Sequence, residues 1–247
     1  MINNILLDIE GTTCPVSFVT TTLFPYAQSE LKNYLNRHKN DPSIKQLISN
    51  TKEEWIKDQR EESITLRHTI EKSQRPEHLK VEAYLQLLIT RDIKSTALKD
   101  IQGKIWREGY TTGRITSELF EDAHENLKKW HQQGYNLAIY SSGSIEAQHL
   151  LYKYTSKGDI ENLFSYWFDT HIGNKKERSS YTAIALAMAC TPQNILFISD
   201  NSDECDAAKS AGLITLYSLR EGNPQQDPKD HPVISDLKDV EKWLKPK

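Results

Sequence analysis

A chain of 247 residues, 37% hydrophobic and 26% charged, describes a globular protein with room for one large domain or for a core domain carrying a smaller insertion. The formal net charge of −3 supplies no broad basic field, which argues against nucleic acid or a membrane surface as partner, and no apolar run approaches the roughly 20 residues of a membrane span. Cys14, Cys190 and Cys205 fit neither a disulfide framework nor a zinc ligand set, and Met1-Ile2-Asn3-Asn4 lacks the regions of a signal peptide, so a reduced cytoplasm is the expected compartment.

The chain opens on a strand-length apolar run, Ile5-Leu6-Leu7, that delivers Asp8 and, two residues on, Glu10, followed by Gly11-Thr12-Thr13. Residues two apart in an extended segment share a face, so the two carboxylates converge on one site if the strand persists. An irregular connection leads to helices. Ala27, Leu31, Tyr34, Leu35 and His38 keep helical spacing, and Asp41-Pro42-Ser43 punctuates the pattern. The polar segment from Thr51 to Gln74 predicts an exposed helix and a loop. Val81, Tyr84, Leu85 and Leu88 form another helical stripe, as do Leu98, Ile101, Ile105 and Trp106 ahead of Gly109. Nothing between about residue 20 and 115 reads as a buried strand, so the block is all-helical.

From residue 117 helices and strands alternate. Strands are expected at Asn136 to Tyr140, Tyr166 to Asp169, Asn194 to Ser199 and Leu213 to Tyr217, with helices near Ser144 to Tyr152, Ser179 to Cys190 and Glu204 to Ala211. A Pro-, Gly- and Asp-rich loop over residues 221–232 precedes a short terminal helix that includes Trp243. This grammar implies a parallel sheet covered on both faces. The expected architecture is α/β, with a core of residues 1–19 plus 116–247 interrupted by a helical domain over 20–115.

Open parallel sheets bind ligands beyond the carboxyl ends of their strands. The first strand presents Asp8 and Glu10 there, the second Ser141-Ser142-Gly143-Ser144, the third His171 to Lys176, and the fourth Asp200 to Glu204. The serine turn opens a helix, so its hydroxyls and free N–H groups suit an anion; capping by Ser142 or Ser144 is the plainer alternative. Lys175 offers charge for a phosphate and a nearby carboxylate. Asp200 offers a hard oxygen to Mg²⁺, or a cap to the following helix. Glu204, one helical turn on, either holds a metal-bound water or decorates that turn. His124, His131 and His149 read as surface or cap residues, and Cys14 as a packed thiol. Phosphate-binding Gly-rich loops, dinucleotide fingerprints and His-Glu-x-x-His are absent.

These four clusters, in this order, resemble the haloacid-dehalogenase-like phosphohydrolases, and more narrowly the enolase-phosphatase branch of methionine salvage. The likeness rests on Leu7-Asp8-Ile9-Glu10-Gly11-Thr12-Thr13, Leu23-Phe24-Pro25-Tyr26, Ile101 to Trp106 with Gly109-Tyr110, Ile139 to Ser144, Phe168-Asp169-Thr170, Ile172 to Lys175 and Ser199-Asp200, and spans roughly residues 3–222. Glu10 stands where the broad superfamily has Asp, a departure typical of the branch.

The resemblance implies a Rossmannoid parallel-sheet core with an inserted helical cap that closes over substrate. It also implies one Mg²⁺ per subunit, and a monomer acting on a small phosphorylated diketone, 2,3-diketo-5-methylthiopentyl-1-phosphate, to give an acireductone (1,2-dihydroxy-3-keto-5-methylthiopentene) and phosphate. By analogy Asp8 attacks phosphorus to form an aspartyl-phosphate and Glu10 serves the leaving group and then water. Asp8, a backbone carbonyl at Glu10, and Asp200 would hold the metal, with Glu204 in an outer position, while Ser141, Ser142 and Lys175 hold phosphate. The residue that takes the carbon-bound proton stays open between Glu10 and cap side chains. A general small-molecule phosphohydrolase is the alternative, and a non-catalytic binding module is disfavoured because Asp8, Lys175 and Asp200 are all present.

Overall fold

The computed structural model describes residues 1–244. Its centre is a parallel six-stranded sheet in the order β3-β2-β1-β4-β5-β6, formed by β1 (Asn4–Leu7), β2 (Asn136–Tyr140), β3 (Phe164–Phe168), β4 (Ile195–Ser199), β5 (Ile214–Ser218) and β6 (Val233–Ile234). β1 sits between β2 and β4, with Leu7 opposite Ile139 on one side and Ile198 on the other. All four of its residues are buried, as are all five of β4. That explains why both strands are continuous apolar runs without alternation. β6, only two residues long, lies within a stretch expected to be loop and short helix.

The chain divides into two compact units, Met1–Thr20 with Ile115–Lys247 and Thr21–Arg114. The second is wholly helical, formed by α1 (Phe24–His38), α2 (Pro42–Lys57), α3 (Glu61–Glu71), α4 (Glu77–Thr90) and α5 (Thr96–Thr111). Its helices start where local chemistry permits. Asp41 Oδ1 accepts from Ser43 N at 2.7 Å with Pro42 just inside α2, and Ser95 Oγ accepts from Leu98 N at 3.1 Å ahead of α5. The polar segment expected to be exposed is instead two helices. Trp55 is buried and stacks on Tyr84 with ring centroids 5.0 Å apart, and Ile70 joins the same core. Two large apolar residues spaced among many charges carry little periodicity yet decide which face turns inward.

In the sheet unit, α6 (Glu121–Gln132), α7 (Ile145–Lys153), α8 (Arg178–Ala187) and α9 (Ser202–Ser210) are the helices that accompany the strands. A core of Leu6, Tyr140, Tyr181, Ile184, Phe197 and Cys205, among others, lies between the sheet and α8 and α9. The terminal helix is a tight turn over Leu237–Lys242, with Trp243 just beyond it. His124 departs from its expected surface place: it is buried, because α6 turns it inward beside Ala123 and Leu127. His149 pairs with Glu161 at 2.7 Å and packs on Trp167, His131 meets the Leu163 carbonyl, and Cys14 is fully buried. Among the described residues no helix is long and apolar enough to cross a membrane.

Candidate active site

The carboxyl end of β1 is the point where the chain's polar residues meet. β1 stops at Leu7, and Asp8 follows, still hydrogen-bonded through its N–H to the Ile198 carbonyl at 3.0 Å. The backbone then folds into a tight turn. The Ile9 carbonyl accepts from Thr12, Thr13 and Cys14 N–H groups, and Gly11 N–H donates to the Cys14 carbonyl at 2.8 Å. Gly11 has a φ of +68°, and a Cβ there would collide with Asp200 Oδ2. Only glycine combines that conformation with so close an approach. The turn therefore carries Asp8, buried, and Glu10, half-buried, while leaving room for Asp200 beside it.

Lys175 reaches this turn from the loop after β3. Its Nζ donates to Asp8 Oδ1 at 2.6 Å and lies 2.8 Å from Glu204 Oε2, and all three side chains are about nine-tenths buried. Burial opposes the lysine's charge, but Asp8 and then Glu204 outweigh it and hold the ammonium above the usual lysine range. The lysine loop is itself fastened. Tyr181 Oη donates to the Lys175 carbonyl at 2.7 Å and Tyr140 Oη to the Gly173 carbonyl at 2.9 Å. Ser199, the last residue of β4, donates from Oγ to Glu204 Oε2 at 3.0 Å and lies 3.4 Å from Asp8 Oδ2. The structure thus gives Glu204 a definite partner in Lys175, beyond merely decorating the first turn of α9.

The expected anion turn follows β2, the immediate neighbour of β1, and so shares its rim. Ser141 is buried and its Oγ accepts from Gly143 N–H at 3.1 Å, while Ser142 is exposed. Ser144 is the residue that caps α7, accepting from Ala147 N–H at 3.3 Å. Capping is therefore done by Ser144, with Ser141 and Ser142 lying ahead of it. Gln148 Nε2 ties the turn to the next strand, donating to the Gly143 and Phe168 carbonyls at 3.0 and 2.9 Å. Asp200 does not cap α9, because Asn201 Oδ1 accepts from the Asp203 and Glu204 N–H groups instead. Burial first, then Asp8 and Glu204, raise the Asp200 carboxyl to about 7; Lys175 opposes them and Glu10 adds to them.

Around Asp8, Glu10, Asp200 and Glu204 the rim offers one buried ammonium, Lys175, so negative charge is in surplus. Among the described residues no three His, Cys, Asp or Glu side chains are gathered as a ready-made metal cage. Mg²⁺ does not require one. It binds through one or two carboxylates, keeps several waters, and takes the rest of its shell from substrate oxygens. Asp8 at the end of β1 and Asp200, packed against Gly11, are hard oxygen donors whose excess charge a divalent cation would balance, so the residues fit that ion. The sequence assigned no role to Ser199, Gln148, Tyr140 or Tyr181, although Tyr140 and Ser199 lie within the motifs of the resemblance. Only Ser199 carried a signal, as a hydroxyl ending an otherwise apolar strand.

Comparison with known proteins agrees with this geometry. The family model described as haloacid dehalogenase-like hydrolase matches residues 2–212. The chain is 76% identical to the Enolase-phosphatase E1 of Synechococcus sp. (strain CC9902) over 245 residues, covering 99% of this chain and 100% of that one. It is 43% identical to the Enolase-phosphatase E1 of Aquifex aeolicus (strain VF5), over 90% and 92% of the two chains. The crystal structure of the UTR4 protein from Saccharomyces cerevisiae superposes with a TM-score of 0.76 at 29% identity, covering 96% of this chain and 98% of that one.

Proposed function

The chain belongs to the haloacid dehalogenase-like hydrolases and, within them, to the enolase-phosphatases, and from that membership we propose how its residues perform the phosphoryl-transfer step of that activity. The substrate is 2,3-diketo-5-methylthiopentyl-1-phosphate, which is enolised and then dephosphorylated to the acireductone of methionine salvage. The observation that carries this reading is the buried Lys175 ammonium held 2.6 Å from Asp8 Oδ1 at the end of the central strand.

Asp8 attacks phosphorus, the bond to the substrate's ester oxygen breaks, and an aspartyl-phosphate forms. Glu10 gives a proton to the departing oxygen and then takes one from the water that hydrolyses the aspartyl-phosphate. Lys175 spreads its charge over the nucleophile and the phosphoryl oxygens, and Ser141 and Ser142 donate to those oxygens at the start of α7. Glu204 and Ser199 hold Lys175 and Asp8 in place. Mg²⁺, one per subunit, would be held by Asp8, the Glu10 backbone carbonyl and Asp200. When bound it acts as a Lewis acid that balances the charge of the phosphoryl group. The protein is read as a cytoplasmic monomer, a compartment supported by its three free cysteines.

The deciding experiment compares phosphate release from the diketone phosphate with release from simple sugar phosphates, with and without Mg²⁺, while absorbance follows the enediol. Strong preference for the diketone, with the absorbance change, supports the proposal. Equal turnover of sugar phosphates without enediol would make the protein a general phosphohydrolase instead.

A further inference from the structure

The catalytic turn is held from behind by the loop that leaves β5. Ser218, the last residue of β5, and Arg220 and Asn223 of the loop hydrogen-bond through their side chains to two successive peptide carbonyls of the turn. Ser218 Oγ and Asn223 Nδ2 each donate to the Gly11 carbonyl at 2.9 Å, and Arg220 Nη2 donates to the Thr12 carbonyl at 3.3 Å. More than 200 residues separate the two segments along the chain, so the contact is wholly tertiary.

Arg220 is well anchored at its other contacts. Its side chain is 6% exposed, its Nη2 lies 2.8 Å from Asp122 Oδ2, and its Nη1 donates to the Ser235 carbonyl at 2.8 Å. Its guanidinium sits 4.6 Å from the Phe120 ring centroid, and the Phe120 N–H donates back to the Thr13 carbonyl at 3.0 Å. A buried guanidinium needs such partners, and here one fork joins the catalytic turn, the start of α6 and the segment after β6. Asn223 is braced by its second bond to the Ser218 carbonyl at 3.3 Å. Its Oδ1 is buried with no hydrogen-bond partner among the described residues, so the donor end alone fixes the amide. The Asn223 Nδ2 also lies 2.8 Å from the point where a Gly11 Cβ would stand, a point that Asp200 Oδ2 approaches from its own position.

We propose that Arg220 and Asn223 are positioning residues for phosphoryl transfer: by fixing the Gly11 and Thr12 carbonyls they set Glu10 and Asp200 against Asp8. They touch no substrate. The role rests on the reading of Asp8 as nucleophile and Glu10 as proton carrier. The turn has a left-handed glycine at its centre, and without outside partners those carbonyls would leave it free to shift by an ångström or so. A displacement of that size is enough to cost about a hundredfold in rate.

The test measures kcat and KM of Asn223→Ala and Arg220→Lys on the diketone phosphate, with Glu221→Ala, an exposed neighbour in the same loop, as control. Amide hydrogen exchange of residues 9–14 is followed in the same proteins. The expected result for both variants is a kcat lowered by about 10- to 100-fold with KM within about threefold. Exchange should be faster in residues 9–14 while β2 and β4 stay protected, and Glu221→Ala should match wild type. A kcat within about twofold of wild type would overturn the proposal. So would unchanged exchange in residues 9–14, or a loss of rate that merely follows opening of the whole sheet. A wild-type protein inactive on the diketone phosphate would defeat the functional reading instead, and the exchange data would still decide whether the loop clamps the turn.

Discussion

Lys175 Nζ and Asp8 Oδ1 lie 2.6 Å apart in a buried setting, although 167 residues separate them in the chain. A lone buried charge of either sign would be costly, and each is stabilised here by the other, Lys175 also by Glu204 and Asp8 also by Ser199. Removing Lys175 therefore has two consequences. Lys175→Met should lower kcat by about 10²- to 10³-fold, the usual cost of losing one preorganised charge donor. It also leaves two carboxylates unpaired, so its melting temperature should fall, which thermal unfolding would record.

Asp8→Asn keeps the shape of the site and removes the carboxylate proposed to attack phosphorus. Phosphate release should drop by at least about 10³-fold, as for other enzymes stripped of their attacking group. Full activity in this variant would rule out an aspartyl-phosphate.

Glu204→Gln distinguishes an anchor for Lys175 from a mere helix-end carboxylate. The amide still reaches Ser199 but no longer balances the ammonium. A fall in kcat of about 10-fold or more is expected, with folded protein recovered in normal yield. Wild-type kinetics would return Glu204 to a role in the first turn of α9 only.

Chelation of divalent cations should reduce phosphate release to background, and added Mg²⁺ should restore it, because Lys175 alone does not balance the carboxylates of Asp8, Asp200 and Glu204. Activity unaffected by a chelator would remove the metal from the proposal.

The helical unit offers a pH-dependent test away from the site. Asp58 ends α2, and Arg60 contacts hold its carboxyl well below the usual carboxylate range, with burial opposing them. A carboxylate depressed on folding adds stability above its unfolded pKa near ~4 and loses that contribution as pH falls toward the folded value. Asp58→Asn should cost about 1–3 kcal/mol at pH 7. The difference from wild type should shrink steadily as pH falls below about 4. A difference independent of pH would show that the hydrogen bond Asp58 accepts from Tyr84 Oη at 3.2 Å, not charge, sets the effect.

The parts of the site legible in the sequence were those that follow strands. A buried parallel strand is an unbroken apolar run, so Ile5-Leu6-Leu7 and Ile195 to Ser199 announce themselves, and whatever polar residue ends each run lands on one rim. That rule placed Asp8, Lys175 and Asp200 together without any contact being known. It could not say that Glu204 pairs with Lys175, since that depends on the α9 cap at Asn201. Arg220 and Asn223 were passed over for a different reason. They stand in a Gly- and Pro-rich stretch whose local signal is that of a surface loop, and only the fold reveals what lies beneath them. Trp55 and Ile70 were similarly hidden, as two apolar residues among many charges.

The place of β1 in the sheet has a consequence for the order of synthesis. A ribosome delivers β1 first, but its two neighbours begin only at Asn136 and Ile195. The helical unit, whose core is drawn entirely from Ala27 to Ile105, emerges whole in the interval. The first strand therefore waits, apolar and unpaired, until more than half of the chain exists, and Asp8 has no lysine partner until about seven-tenths of it does. Pairings this distant in sequence form slowly. The newborn chain cannot display a working phosphatase site before its sheet is nearly complete.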